Sequence, residues 1–128
     1  MSPGGMLTAG CIRRTTMING YSFGKICIHG IWYNHDLKII GDVVLPDWWR
    51  KSGHLCCRQD IEDLLSAEPE VLILGRGKPG MMKADPQLRR FVDKQGIELI
   101  ELPTAAATVT FNNLYRQKKT AAGFHLTC

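Results

Sequence analysis

The residues best placed for chemistry lie in one stretch, Glu70-Val71-Leu72-Ile73-Leu74-Gly75-Arg76-Gly77-Lys78-Pro79-Gly80. The four apolar residues Val71 to Leu74 read as a strand covered on both faces, and a glycine-rich turn follows at once. Glycine lets backbone approach a ligand closely, and Arg76, Lys78 and the nearby Lys83 bring positive charge to the same turn. If the next β–α unit lies alongside, Thr104 and the amides of the helix it opens would complete a cradle for an anionic group. Gly75, Arg76, Gly77, Lys78, Gly80, Lys83 and Thr104 are therefore the candidate anion-binding residues. A tight basic turn that needs glycine only for its backbone angles accounts for the same letters and is the simpler reading.

Other arrangements carry less. The spacing Gly75-x-Gly77-x-x-Gly80 matches a dinucleotide fingerprint, whose turn must open straight into a helix so that its amides meet the pyrophosphate. Pro79 removes one amide here, and Met81 to Ala84 separate the last glycine from Asp85, so no cofactor is expected. His54-x-Cys56-Cys57 and His125-x-x-Cys128 supply imidazoles and thiols, yet neither spacing is a standard zinc pair, and no metal is expected. Nothing in the sequence sets a cysteine against a histidine as an activated nucleophile. Trp48 and Trp49 are a candidate partner surface, with burial against a sheet as the competing reading. Asn112 and Asn113 could face the glycine loop from the last helix.

Composition bounds the function. At 128 residues, 45% hydrophobic and 22% charged, the chain suits one soluble domain. No apolar run approaches the roughly 20 residues of a membrane span. The net charge is +4, but the basic pairs Arg13-Arg14, Arg50-Lys51, Arg89-Arg90 and Lys118-Lys119 are dispersed, which argues against nucleic acid. Five irregularly placed cysteines, Cys11, Cys27, Cys56, Cys57 and Cys128, read as free thiols of a cytoplasmic protein. Leu7 to Cys11 faintly matches a lipoprotein cleavage site, but no basic and apolar segments precede it, so export is not expected. Met6 or Met17 could serve as the start.

Residues 1–17 read as a loose arm and 18–128 as one domain. Short β-like runs from Ile18 to Leu45 imply an N-terminal antiparallel meander, ended by Pro46. A short helix is expected near Asp60–Leu65, with Ile61, Leu64 and Leu65 inward. The second half alternates: strand 71–74, a helix with Asp85 as cap and Pro86 as first residue, Gly96 as its left-handed stop, and strand 97–102. A helix capped by Thr104 and a last strand within 121–126 follow. This βαβαβ order implies parallel crossovers and an α/β domain with a central mixed sheet flanked by helices.

Several stretches resemble the adipogenesis-associated Mth-domain-containing protein family. They are Tyr21-Ser22-Phe23-Gly24-Lys25-Ile26, Trp49-Arg50-Lys51-Ser52-Gly53-His54, Val71 through Met82, Gly96-Ile97-Glu98, Pro103-Thr104-Ala105, Phe111-Asn112-x-Leu114 and His125-Leu126-Thr127-Cys128. Arg76 departs from the small hydroxyl residue more usual at its place. The resemblance implies a compact α/β domain with a mixed sheet and extra strands from the first half. Relatives are implicated in respiratory complex I assembly and in adipocyte differentiation, and the family carries no established catalytic set. The expected function is thus a non-enzymatic interaction or assembly protein, with a protein partner or self-association. The alternative is a small-molecule or anion-binding protein, or an enzyme, using loop 75–83.

Overall fold

The computed structural model describes residues 17–128. The arm up to residue 16, with Cys11 and the Leu7–Cys11 run, lies outside the described residues. Met17 is wholly buried in the core.

Strands β1 (Ile18–Ser22), β2 (Lys25–Ile28) and β3 (Ile31–Tyr33) form an antiparallel sheet in that order. Its second hairpin turns on His29-Gly30, both at positive φ, the backbone that lets a two-residue turn follow the twist of its strands. The meander stops there. Strands β4 (Leu37–Ile40) and β5 (Val43–Leu45) leave it and join the main sheet. Leu37 and Ile39 are fully buried, and that apolar face is covered only when β4 pairs with a strand of the domain's centre.

Beyond them come β6 (Leu55–Cys56), a 3-10 turn (Arg58–Ile61), α1 (Glu62–Ser66), β7 (Val71–Gly75) and β8 (Lys83–Ala84). Then follow α2 (Pro86–Lys94), β9 (Glu98–Leu102), α3 (Thr104–Leu114) and β10 (Thr120–Phe124). The main sheet runs β5-β4-β10-β7-β9. β7 is parallel to both β9 and β10, and β10 is antiparallel to β4, so the sheet is mixed as expected.

Local chemistry explains the second half. Asp85 accepts a hydrogen bond from the Gln87 amide at 3.1 Å, Pro86 opens α2, and Gly96 at φ 75° follows its end. Thr104 departs from expectation: Pro103 holds the cap position of α3, and the Thr104 hydroxyl faces the sheet's edge instead. All five residues of β7 are buried, with Val71 and Ile73 on one face and Leu72 and Leu74 on the other. The first face packs with Phe111 of α3 and Ile26 and Ile28 of the small sheet; the second packs with Leu88, Val92, Leu64 and Trp48. No helix of the described residues is long and apolar enough to cross a membrane.

The Trp48 ring lies against β10, where only glycine leaves room. A Cβ on Gly123 would stand 2.9 Å from two carbons of the Trp48 ring. Gly123→Ala should destabilise the domain by about 1–3 kcal/mol in urea unfolding and shift Trp48 emission, as overpacking does. An unchanged midpoint would mean that the ring is not held there.

Candidate functional site

One row of main-sheet residues aligns Leu37, Phe124, Gly75 and Leu102 across β4, β10, β7 and β9. The next residues outward are Asp36, His125, Arg76 and Pro103. This is the carboxyl edge of the three parallel strands, where α/β sheets present ligand sites. The register alone thus sets Asp36 beside His125, which are 89 positions apart in the chain.

Asp36, half-buried, is the centre of a polar cluster whose Arg50 and His125 are buried. Its Oδ2 accepts from His125 Nδ1 at 2.7 Å and from Arg50 Nη2 at 2.8 Å, and its Oδ1 accepts from the Leu126 amide at 2.8 Å. The carboxylate assigns the imidazole proton to Nδ1, so the 3.1 Å approach of Arg50 Nη2 to that nitrogen is two donors meeting at one acceptor. Arg50 also donates to the Gly53 carbonyl and stacks over the Trp48 ring at 4.4 Å. Burial by itself would raise the Asp36 pKa. The hydrogen bonds from His125, the Leu126 amide and Arg50 outweigh it and hold the carboxyl below its ordinary value. Two buried nitrogens, Arg50 Nη1 and His125 Nε2, hydrogen-bond to none of the described residues.

The structure brings Gly75, Arg76, Gly77 and Thr104 together beside this cluster, but it closes their backbone. The Thr104 hydroxyl accepts from the Gly77 amide at 2.8 Å and donates to the His125 carbonyl. The amides of Arg76, Lys78, Met82 and Thr104 donate to Leu102, Thr127, Arg76 and Gly77 carbonyls. A Cβ on Gly77 would overlap the Thr127 carbonyl oxygen, so that glycine admits the chain's own C-terminal segment. The loop then enters β8, paired with β6, and not a helix, which removes the geometry of a dinucleotide fingerprint. What faces outward is side-chain charge: Lys78 and Lys83 are exposed, and Arg76 Nε is tied to the Met82 carbonyl. Glu101 works against an anion here. Burial raises its pKa, but hydrogen bonds from Arg89 and the Ala84 amide, with the charges of Arg89 and Arg76, hold it low and ionised.

The two tryptophans part. Trp48 is buried, with Nε1 donating to the Asp60 carbonyl at 2.9 Å, whereas Trp49 is 84% exposed. Asp47 at φ 58° turns the chain, and the Trp48 amide bonds the Asp36 carbonyl at 2.7 Å, so consecutive indoles point in and out. Around them lies an open cleft of about 380 Å³, lined by Asn34, His35, Asp36, Asp47, Trp48, Trp49, Leu126 and Thr127. Asn112 is not at the glycine loop: it clamps the Ile18 amide and carbonyl, fastening β1 to α3. Cys27, Cys56, Cys57 and Cys128 are unbridged, and burial pushes the Cys56 thiol up to about 12, which leaves it inert. No group of three or more His, Cys, Asp or Glu converges as a metal site among the described residues.

The model of the family "Protein of unknown function (DUF498/DUF598)" matches residues 18–125. The chain belongs to this family. Among solved structures, a conserved hypothetical protein from Pyrococcus horikoshii OT3 is 26% identical, with 87% of this chain and 98% of that one covered and a TM-score of 0.75. A Bordetella pertussis protein described as an Mth938-like domain is 16% identical over 94% of this chain and 91% of that one, with a TM-score of 0.61. A Xanthomonas campestris protein is 17% identical over 85% and 83%, with a TM-score of 0.72. The Bordetella and Xanthomonas likenesses establish the fold, and none of the three descriptions names an activity.

Asp36, Arg50 and His125 stand out only in three dimensions. Asp36 has the letters of a turn, Arg50 those of one dispersed basic pair, and His125 those of a weak metal motif. The signal available in the sequence was position: a histidine one residue past the last strand, and an acid one residue before β4.

Asp36→Asn should cost about 3–5 kcal/mol at neutral pH, because it leaves the Arg50 guanidinium buried without its charge partner. Since the folded Asp36 pKa lies below the unfolded value near 3.9, its stabilisation is present above that pH and is lost as pH falls through the folded value. Urea unfolding from pH 7 to pH 2 should therefore show a steeper acid loss in the parent than in Asp36→Asn. Parallel curves would deny Asp36 this role.

Proposed function

We propose that this chain is a non-enzymatic interaction domain of the adipogenesis-associated Mth-domain type, acting in the cytoplasm. It docks a protein segment through the cleft beside Trp49, and that segment presents an arginine or lysine side chain. The observation that carries this reading is Trp49 itself, a fully formed indole standing 84% exposed on the rim of a cleft whose other walls include two carboxylates. Exposed tryptophans anchored on rigid backbone are typical centres of binding energy. The Asp36 cluster supplies that rigidity through the Asp36–Trp48 backbone bond and the Arg50–Trp48 stack. Asp47 is exposed and forms no ion pair among the described residues, so its charge is available to an incoming cation. An indole face and a carboxylate together select a guanidinium or ammonium over a neutral group.

The chain's net charge of +4 makes the test discriminating, because basic peptides are repelled overall and must be held locally. A dye-labelled tetra-arginine peptide should bind in fluorescence polarisation, and the tetra-citrulline peptide should not. Trp49→Ala and Asp47→Asn should each weaken binding about 2–5-fold, the range of an exposed cation–π or surface charge contact. Their melting temperatures should match the parent. Equal binding of the citrulline peptide, or parent-like affinity in both variants, would overturn the reading.

A further inference from the structure

The three-stranded and five-stranded sheets leave four outer strands, and three of those edges are closed. β1 is fastened to α3 by Asn112, which bonds both backbone groups of Ile18. β9 is bridged to β8 by Glu101, which accepts from the Ala84 amide and pairs with Arg89. β5 stops at Pro46, which has no backbone N–H to offer a further strand. β3 is short, but its residues Ile31-Trp32-Tyr33 carry no charge, no proline and no bulge, the other features that normally blunt an edge.

The register shows what this edge offers. Ile28 and Ile31 flank the two-residue turn and Ile26 faces Tyr33, so these are the hydrogen-bonded pairs, and Cys27–Trp32 is the non-bonded pair between them. The Trp32 N–H and C=O therefore point away from β2, and they meet no partner among the described residues. Beside them, Ile31 is 57% and Trp32 51% exposed.

We infer that β3 pairs antiparallel with β3 of a second copy of this chain about a two-fold axis at Trp32. The two Trp32 residues exchange both backbone hydrogen bonds, and the two small sheets become one of six strands. The arrangement is self-complementary. It sets Ile31 of each copy against Tyr33 of the other, in a close pair that covers the exposed isoleucine, and Gly30 against Asn34. No like charges meet across it. Each Trp32 keeps its own Lys25 ammonium over the ring, at 4.9 Å, on the face away from the core. Three-residue strands bury little surface, so the dimer is weak and concentration-dependent. The inference rests on this edge alone and is independent of the Trp49 cleft.

Sedimentation velocity should show monomer at about 5 µM and a growing dimer fraction toward about 500 µM, as expected for a small interface. Ile31→Lys, which places a charge on the edge without touching the core, should abolish the dimer while leaving the far-UV spectrum and melting temperature unchanged. Amide exchange followed by NMR should show protection of the Trp32 N–H that rises with protein concentration, and no such rise in Ile31→Lys. Trp49→Ala should dimerise as the parent does. Monomer at every concentration, a dimer that survives Ile31→Lys, or Trp32 protection independent of concentration (an edge covered within one chain) would each overturn the inference.

Discussion

The carboxylate of Asp36 is the constraint on which the edge of this domain depends. Three donors from two separate segments converge on it: the Arg50 guanidinium from one, and the His125 ring and the Leu126 amide from the other. Even a half-buried carboxylate is costly unless its oxygens are answered by donors, and a buried guanidinium is costly unless a negative charge lies beside it. Each group makes the other tolerable. The segment 46–57 has little regular structure of its own, and it is held to the sheet by this pair and by the Trp48 ring packed against Gly123.

A second node sits beside the first and explains the glycines. Thr104 connects the turn after β7 to the residue after β10, using one hydroxyl as acceptor for Gly77 and donor to His125. Gly75 lies so close to Phe124 and Thr104 that a side chain there would strike β10 and α3, and one at Gly77 would strike the C-terminal segment at Thr127. The loop resembles a phosphate-binding turn in its letters because both uses demand close backbone approach. Here the approaching backbone is the protein's own.

This construction separates rigidity from recognition. The buried cluster holds Trp48 and fixes the path of Asp36 and Asp47, and the exposed Trp49 and Asp47 are carried on that frame. Groups on a rigid support lose little freedom when they bind, which is the physical basis of the docking role proposed for Trp49 and Asp47. Burial keeps Cys56 protonated and unreactive.

Much of the second half was legible in order along the chain. The apolar run 71–74, the Asp85-Pro86 start, the stop at Gly96 and the β–α–β alternation are local signals, because capping, turn angles and burial on both faces act over a few residues. They were enough for an α/β domain with a mixed sheet. The boundary between the two sheets was not legible, since β3 and β4 have similar β-forming composition and only the pairing of Leu37 and Ile39 with β10 assigns β4 to the centre. Nor could the sequence tell Trp48 from Trp49, because one positive φ at Asp47 and one hydrogen bond to Asp36 send them to opposite sides. The sequence by itself determined the helices and the longer strands of the second half, and the basic glycine turn. Only the tertiary structure decided that the turn closes on Thr127 and that Asp36, Arg50 and His125 meet, because strand register sets contacts between residues nearly ninety positions apart and no local pattern records it.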